Sequence, residues 1–519
     1  MLGTDIFDEF MEENKLHDIA LSDRSDKEIL QAFVKARLPF RMHEDLFTFI
    51  ACVNNPIAIR SSSLLEDSHY QPFAGIYSTY MIPNLKYNER VMIQMLSEAI
   101  KSVYASAFFK DSKAYMTATL NVIDEEKMGI VLQEVTGMQY GNRFYPAISG
   151  VARSINFYPI APEKPEDGIA NIAFGLGKYI VDGGNGLRFS PKYPKKILQL
   201  STPELALGET QKTFYALDLN AEAFKPNTDD TVNLLKLKVK DAEDDRALKL
   251  VASTFDYDSN SVRDGTMGPG KRIITFSQLL NHDTFPLAEI LQTVLEIGQK
   301  EMGKPVEIEF AVNLDLPKDE PKVFSLLQIR PIVGKNSTVN LNLEDIHPED
   351  TIILSNTALG NGIIKDIFDF IYIKPEAFDA AKSHDIGTRL EAINEKFIAE
   401  KKNYILVGPG RWGSADPWLG IPVRWPQISA ARLIVESGLE NYRIDPSQGT
   451  HFFQNLTSFN VGYFTINPYI KDGFYNLEFL NAQPAVHEDE YIRHIRFEKP
   501  MRIEIDGKKN IGVVYKPTT

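Results

Sequence analysis

Apolar residues alternate with others along Val306, Ile308, Phe310 and Val312, the period of a half-buried strand, which leaves Glu307 and Glu309 on the opposite face. A Leu-Pro-Lys-Asp-Glu-Pro-Lys loop follows, then a second arm, Val-Phe-Ser-Leu-Leu-Gln-Ile-Arg-Pro-Ile, on which the same period puts Phe324, Leu326, Gln328 and Arg330 on one face. Folding this hairpin about Lys318–Asp319 sets Glu309 across from Gln328. A shorter β-branched run, Ile57 to Ile59, delivers Arg60 and three hydroxyls, Ser61, Ser62 and Ser63, at a strand end. Helical patterns cover Ile6–Glu13, Asp26–Ala36 after a Ser25/Asp26 cap candidate, about 88–109, and Pro286–Gly298 with apolar positions 287, 290, 291, 294, 295 and 297. Residues 115–155 read as strands, and 157–168 as a loop, because prolines punctuate it. Residues 225–271 are acidic and irregular and read as a mobile insertion.

A break near 333–345 divides the chain into parts 1–335 and 336–519. In the second part Tyr491–Phe497 and Met501–Ile505 are strand-like, and Asp506-Gly507 turns the chain into Ile511–Tyr515. The fold class expected is α+β or α/β.

Composition narrows the function classes. At 519 residues there is length for several units, each able to bury a core, and 43% hydrophobic with 24% charged residues is ordinary globular usage. A net charge of −14 argues against a nucleic-acid partner, since neutralising a phosphate backbone needs clustered Lys and Arg. It leaves a nucleotide open, because a few local cations and Mg²⁺ suffice for a triphosphate. One cysteine, Cys52, excludes an internal disulfide and a Cys-based zinc site, and its apolar neighbours predict that it is packed. No apolar run has the length of a membrane span and no signal peptide follows Met1, so no membrane role is expected and the location expected is cytoplasmic. Association into a homo-oligomer is left open.

Arg60 with small hydroxyl donors at a strand terminus suits an anionic ligand: a guanidinium fork matches phosphate oxygens, and Ser or backbone N–H groups fill the remaining acceptors. A strand ending in a Ser turn with a surface Arg would show the same letters. On the hairpin, a carboxylate oxygen of Glu309 and the amide oxygen of Gln328 are ligands of the kind that hold Mg²⁺ while it bridges nucleotide phosphates, with Arg330 placed to neutralise the terminal phosphate. Any two-stranded hairpin also carries such residues for solubility.

Together the two segments are specific. Residues 57–75, with Arg60-Ser61-Ser62, Glu66-Asp67 and Phe73-Ala74-Gly75, resemble a signature of the phosphoenolpyruvate synthase and pyruvate phosphate dikinase family. Residues 306–331, Glu-Ile-Glu-Phe through Leu-Gln-Ile-Arg-Pro, resemble the closing segment of the same nucleotide-binding domain, an ATP-grasp fold. Between them Met128–Val135 is similar to the strand lining the adenine pocket, and Ala173–Gly183 to the Gly-Leu-Gly turn. The resemblance covers roughly residues 30–335 and implies roles. Arg60 with Ser61 and Ser62 would meet phosphates, Gln133 and Glu134 would flank the adenine, Glu309 and Gln328 would hold Mg²⁺, and Arg330 would sit on the γ-phosphate of ATP. Three positions depart from the family. It opens with a Gly-Gly-Lys segment, whereas Met1-Leu2-Gly3 resembles the family from a later point, which implies an N-terminal truncation. The Arg after its Ser-x-Phe is replaced by Asp111, with Lys110 or Lys113 as substitutes, and the Glu after Gly-Leu-Gly is Lys178.

The second part offers one decoy and two candidates. Gly408-Pro-Gly-Arg-Trp-Gly413 is a literal Gly-x-Gly-x-x-Gly, but the following Ser-Ala-Asp-Pro-Trp-Leu-Gly-Ile-Pro cannot sustain the helix a dinucleotide site needs, and no P-loop Lys is present. All three tryptophans, Trp412, Trp418 and Trp425, fall nearby and read as a packed loop or a contact surface. His451, in Gln448-Gly-Thr-His, is spaced like the phosphoryl-accepting histidine of the family's swivelling domain, whose small-residue opening Ala358–Gly362 resembles. An imidazole at a helix start can act as a phosphoryl nucleophile; a histidine merely hydrogen-bonded beside Phe452 and Phe453 is the other reading. His69 lies inside the signature, and no His-Glu-x-x-His or Gly-x-Ser-x-Gly occurs.

The expectation is therefore an ATP-grasp nucleotide-binding domain over 1–335 and a smaller α/β swivelling-like phosphohistidine domain over 336–519. With Mg²⁺ it would transfer a phosphoryl group from ATP to an unknown acceptor, as in the family's first half-reaction, with Arg330 and His451 as catalytic residues. The phosphoenolpyruvate/pyruvate barrel has no room in this length. A regulatory module that binds ATP without turnover, or an interaction protein on the same scaffold, are the alternatives.

Overall fold

In the computed structural model the Arg-Ser-Ser-Ser segment ends a strand, β1 (Ile57–Ser63), flanked on its two sides by β2 (Tyr80–Ile82) and β3 (Met128–Glu134), both antiparallel to it. The structure describes residues 1–63, 75–85, 88–119, 126–157, 159–160, 162–220, 224–317, 319–332, 339–360, 362–414, 416–440, 461–507 and 509–517. The chain forms two compact units. One comprises Met1–Ser154, Asp167–Ile180 and Asn185–Pro331, the other Ile155–Glu166, Val181–Gly184 and Ile332–Thr519.

In the first unit, the β1 sheet is covered by helices. Ile57 and Ile59 are fully buried on one face of β1, toward the helix Glu89–Ser106. That helix buries Met92, Leu96, Ile100 and Val103 at intervals of three and four, the stripe of a core-facing helix. The helix Asp26–Lys35 packs on it and starts at a capping box, in which the Ser25 hydroxyl accepts from Glu28 N–H and the Glu28 carboxylate accepts from Ser25 N–H.

The second layer is a five-stranded antiparallel sheet containing β4 (Ile148–Arg153), β5 (Ile169–Ala173), β6 (Leu187–Phe189), β7 (Val306–Asn313) and β8 (Val323–Pro331), in the order β8-β7-β4-β5-β6. The Leu287–Met302 helix precedes β7 and buries Leu287, Leu291 and Leu295 against this sheet's core. Close approach is built in at Gly150, paired with Phe310, where an added Cβ would run into the Phe310 ring.

The hairpin β7–β8 pairs Glu309 with Gln328 and Glu307 with Arg330, as the alternation predicts. It departs from the pattern one step later. The register shifts between Glu309 and Phe310, so Phe310 pairs with Leu326 and Leu327 is extra. A bulge of this kind reverses the faces beyond it. Gln328 and Arg330 therefore stay with the glutamates, while Phe324 turns to the other side, its ring stacked on Phe310 at 5.1 Å. The four residues do not share one face.

Other expectations also change. Residues 225–271 are not irregular: Leu234–Lys238 pairs with Thr213–Asp218, and Ala252–Asp256, Ser261–Asp264 and Lys271–Ile274 form a three-stranded sheet. These strands are only four to six residues long, and Phe255 and Ile273 bury against Ala206, so little alternation is visible in the sequence. Lys110–Thr119 is a helix where strands were expected from 115. Cys52 is exposed, because the helix Met42–Cys52 buries the Met42, Leu46, Ile50 stripe and turns the cysteine away from it.

The second unit is built on one ten-stranded mixed sheet. β9 (Gly362–Ile373), β10 (Tyr404–Pro409), β11 (Ala431–Ser437) and β12 (Gly462–Ile466) run parallel, and β13 (Ile492–Asp506) and β14 (Ile511–Tyr515) continue antiparallel beyond β9. β13 is one long strand where two were expected. No helix opens at Gly408–Gly413: Arg411–Trp412 pairs with Gly420–Ile421 instead. Trp412 and Trp425 are buried and Trp418 is exposed. Among the described residues no helix is long and apolar enough to cross a membrane.

Candidate functional site

Two sheets of the first unit meet at Arg60. Its position on β1 pairs with Val131, and Ala58 and Ser62 share its face. From there the guanidinium reaches the hairpin. Its Nη2 donates to Glu309 Oε2 at 3.0 Å and to Gln328 Oε1 at 2.7 Å. Arg330 comes to the same two acceptors, its Nη2 lying 2.9 Å from Glu309 Oε1 and 3.4 Å from Gln328 Oε1. Residues far apart in sequence thus converge, with Glu309 holding one guanidinium on each carboxylate oxygen.

The cluster continues inward. Glu307, 3% exposed, lies 3.5 Å from Arg330 Nε and is bonded by Arg153 Nε, itself 4% exposed, whose Cα is its register partner on β4. A carboxylate so buried is costly unless paired, and Arg153 supplies the charge. The row Arg153, Glu307, Arg330, Glu309, Arg60 sets three cations against two anions. Guanidiniums in a part-buried setting, already oriented by carboxylates, are suited to an anionic ligand.

Glu309 and Gln328 carry a carboxylate and an amide oxygen, hard donors of the kind a divalent cation takes, and here these oxygens accept from Arg60 and Arg330. Among the described residues no group of three or more His, Cys, Asp or Glu forms a metal cage, so a cation here would take its other ligands from elsewhere.

The remaining candidates divide. Ser62 shares the face of Arg60, whereas Ser61 lies on the buried face with Ile57 and Ile59. Gln133, opposite Ala58, is on the Arg60 face two positions along. Glu134 is on the other face, where Oε1 accepts from the backbone N–H groups of Asn54 at 2.7 Å and Asn55 at 3.1 Å, holding the turn into β1. Lys113 donates to the Ser22 carbonyl at 2.6 Å, burial lowering its pKa, and Lys178 pairs with Asp230 at 3.1 Å. Glu66, Asp67, His69 and His451 lie outside the described residues. Arg153 was missed by sequence reasoning: every position of β4 is buried, so no alternation marks it, and its partner lies 154 positions away.

A family model, pyruvate phosphate dikinase, AMP/ATP-binding domain, matches residues 1–351, more than half of the chain. The chain belongs to this family. Membership gives the chain, over residues 1–351, an AMP/ATP-binding domain of ATP-grasp type, and Arg60, Glu309, Gln328 and Arg330 lie within the matched region. Among curated proteins, it is 28% identical to the uncharacterized phosphotransferase YvkC of Bacillus subtilis over 194 residues, 35% of this chain and 20% of that one. It is 24% identical to a phosphoenolpyruvate synthase of Aeropyrum pernix over 292 residues, 56% of this chain and 30% of that one. The matched regions thus span less than a third of either relative's length.

Proposed function

We propose that the first unit binds Mg-ATP at the Arg60–Glu309–Gln328–Arg330 cluster and donates a phosphoryl group from it. The observation that carries this reading is Arg60 reaching across from β1 to Glu309 and Gln328, because it joins the two segments that resemble the phosphate and metal ends of the family's site. Arg60, with Ser62 on its face, would bind phosphate oxygens, and Arg330 would meet the terminal phosphate. Held by Glu309 and Gln328, Mg²⁺ would neutralise phosphate charge and orient the triphosphate. Gln133 lies on the face where the adenine would rest. The AMP/ATP-binding family model, together with the names of the two relatives, a phosphotransferase and a phosphoenolpyruvate synthase, supports ATP-dependent phosphoryl transfer as the reaction class.

His451 is proposed as the acceptor on the resemblance of Gln448–His451 alone. Incubation with γ-labelled ATP and Mg²⁺ tests this. The expected result is acid-labile label on the protein, dependent on Mg²⁺ and absent from His451→Ala; equal labelling of that variant would remove His451 from the reading.

A second reading, ATP binding without turnover, is favoured by the cations near the departures. Lys113, a substitute for the family's Arg, donates to the Ser22 carbonyl, and Lys178, at the position of the family's Glu, pairs with Asp230, which reverses the charge there. Saturable ATP binding with neither label transfer nor ATP consumption selects it.

A further inference from the structure

Asn313 is the last residue of β7. That strand pairs with β4 without a register shift from Glu307–Arg153 to Val312–Ile148, so its alternation holds throughout and Glu307, Glu309, Ala311 and Asn313 share one face. Glu309 and Asn313 are the two positions of β7 that are not buried. Asn313 stands four positions on from Glu309, about 13 Å at the rise of a strand.

One end of its amide is fixed. Nδ2 donates to the Gly137 carbonyl at 3.1 Å, which ties Asn313 to the chain just past β3, four positions beyond Gln133. The backbone on either side is held as well. Val312 and Leu314 are core residues, and Asp315 accepts from the Tyr140 phenol at 3.1 Å and lies 3.1 Å from Arg246 Nε. The other end of the amide is unsatisfied: Oδ1 is buried and accepts no hydrogen bond. A buried carbonyl oxygen without a donor is costly, and this one sits on a rigid mount, the arrangement of an acceptor prepared for a donor from outside the chain. A backbone carbonyl can only accept, so Gly137 keeps Nδ2 on its own side and the amide cannot turn over. Asn313 therefore presents an acceptor there and not a donor.

We propose that Asn313 is a specificity-determining residue, whose Oδ1 accepts a hydrogen bond from the 6-amino group of adenine and so selects adenine over 6-oxo purines. The inference rests on the Mg-ATP reading above, in which Glu309 marks the metal end of the site and β3 the base end. Asn313 shares the face of the first and is bonded to the chain leaving the second. Adenine brings a donor to Oδ1. A 6-oxo purine brings a carbonyl oxygen, and two acceptors then face each other with no hydrogen between them.

The test is competition binding to the full chain with Mg²⁺, using ATP, ITP and the triphosphate of purine riboside, which carries only hydrogen at position 6. The unsubstituted protein should prefer ATP to purine riboside triphosphate about tenfold, and to ITP by more. Asn313→Leu removes both amide groups with little change in volume and should reduce the first preference to about twofold or less. Asn313→Asp keeps an acceptor while losing the donor to Gly137, and should retain a preference of at least about fivefold. Support of Gly137 alone would weaken every nucleotide equally and leave the preference intact. A preference kept in Asn313→Leu, or absent from an unsubstituted protein that binds ATP, overturns this inference and leaves the Mg-ATP reading standing. If Asn313→Leu does not fold, Asn313→Asp carries the test, and loss of the preference there overturns the inference. No ATP binding by the unsubstituted protein overturns both.

Discussion

Arg60 and Glu309 lie 249 positions apart in the chain, yet a guanidinium nitrogen of one sits 3.0 Å from a carboxylate oxygen of the other. Their side chains are 23% and 14% exposed, so the pair is shielded without being sealed. On the Mg-ATP reading proposed above, such a pair serves recognition better than stability. Its charges interact more strongly than at an open surface, and phosphate or a metal ion can still reach them.

Replacing Arg60 should therefore affect binding more than folding. Arg60→Ala should weaken ATP about 10- to 100-fold, the loss of one charge-assisted contact of about 1.5–3 kcal/mol. Arg60→Lys keeps the charge but not the planar fork and should fall between. Calorimetric titration checks both, and an Arg60→Ala variant within twofold of the unsubstituted protein would remove Arg60 from the phosphate site.

The inner pair behaves differently. Arg153→Met takes from the buried Glu307 its closest cation and should cost about 3 kcal/mol of folding stability, the lower end expected for breaking a buried pair. The double change Arg153→Met with Glu307→Leu should recover part of that loss, because no buried charge is stranded. Urea denaturation measures this; a double variant no more stable than Arg153→Met would show that the pair is not what holds this end of the sheet.

Glu126, a buried carboxylate just ahead of β3, gives the fold a pH dependence of known sign. Its folded pKa is raised above the ordinary 4.5, so the folded state holds a proton that the unfolded chain has released. The unfolded state then binds fewer protons, and stability falls as pH rises from about 4.5 through the folded pKa. Below that window the contribution is fully present. Subtracting the Glu126→Gln denaturation profile from that of the unsubstituted protein should isolate this slope; a flat or rising difference would mean the carboxylate is not buried as described.

Much of the site is legible in the sequence because its parts obey local rules. The pairing of Glu309 with Gln328 follows from alternation on two arms joined by a proline-marked loop, and Arg60 follows from its place at the end of a β-branched run. Beyond Gln328 legibility stops, since the extra residue Leu327 reverses the faces of Leu326 and Phe324 and no residue there announces a bulge. Arg153 is hidden for another reason: charge on a wholly buried strand is explained only by a carboxylate that arrives on a strand distant in sequence. Cys52 shows the limit of reading burial from neighbours alone, because position around the helix decides which side chain is covered.

The most direct test of the account is titration of ATP into the protein with and without Mg²⁺, repeated with Glu309→Gln. Saturable binding that tightens with Mg²⁺, with most of that gain lost in Glu309→Gln, is the predicted result. Binding indifferent to Mg²⁺ and unchanged in Glu309→Gln, or no saturable binding at all, would contradict a metal–nucleotide site between β1 and the β7–β8 hairpin.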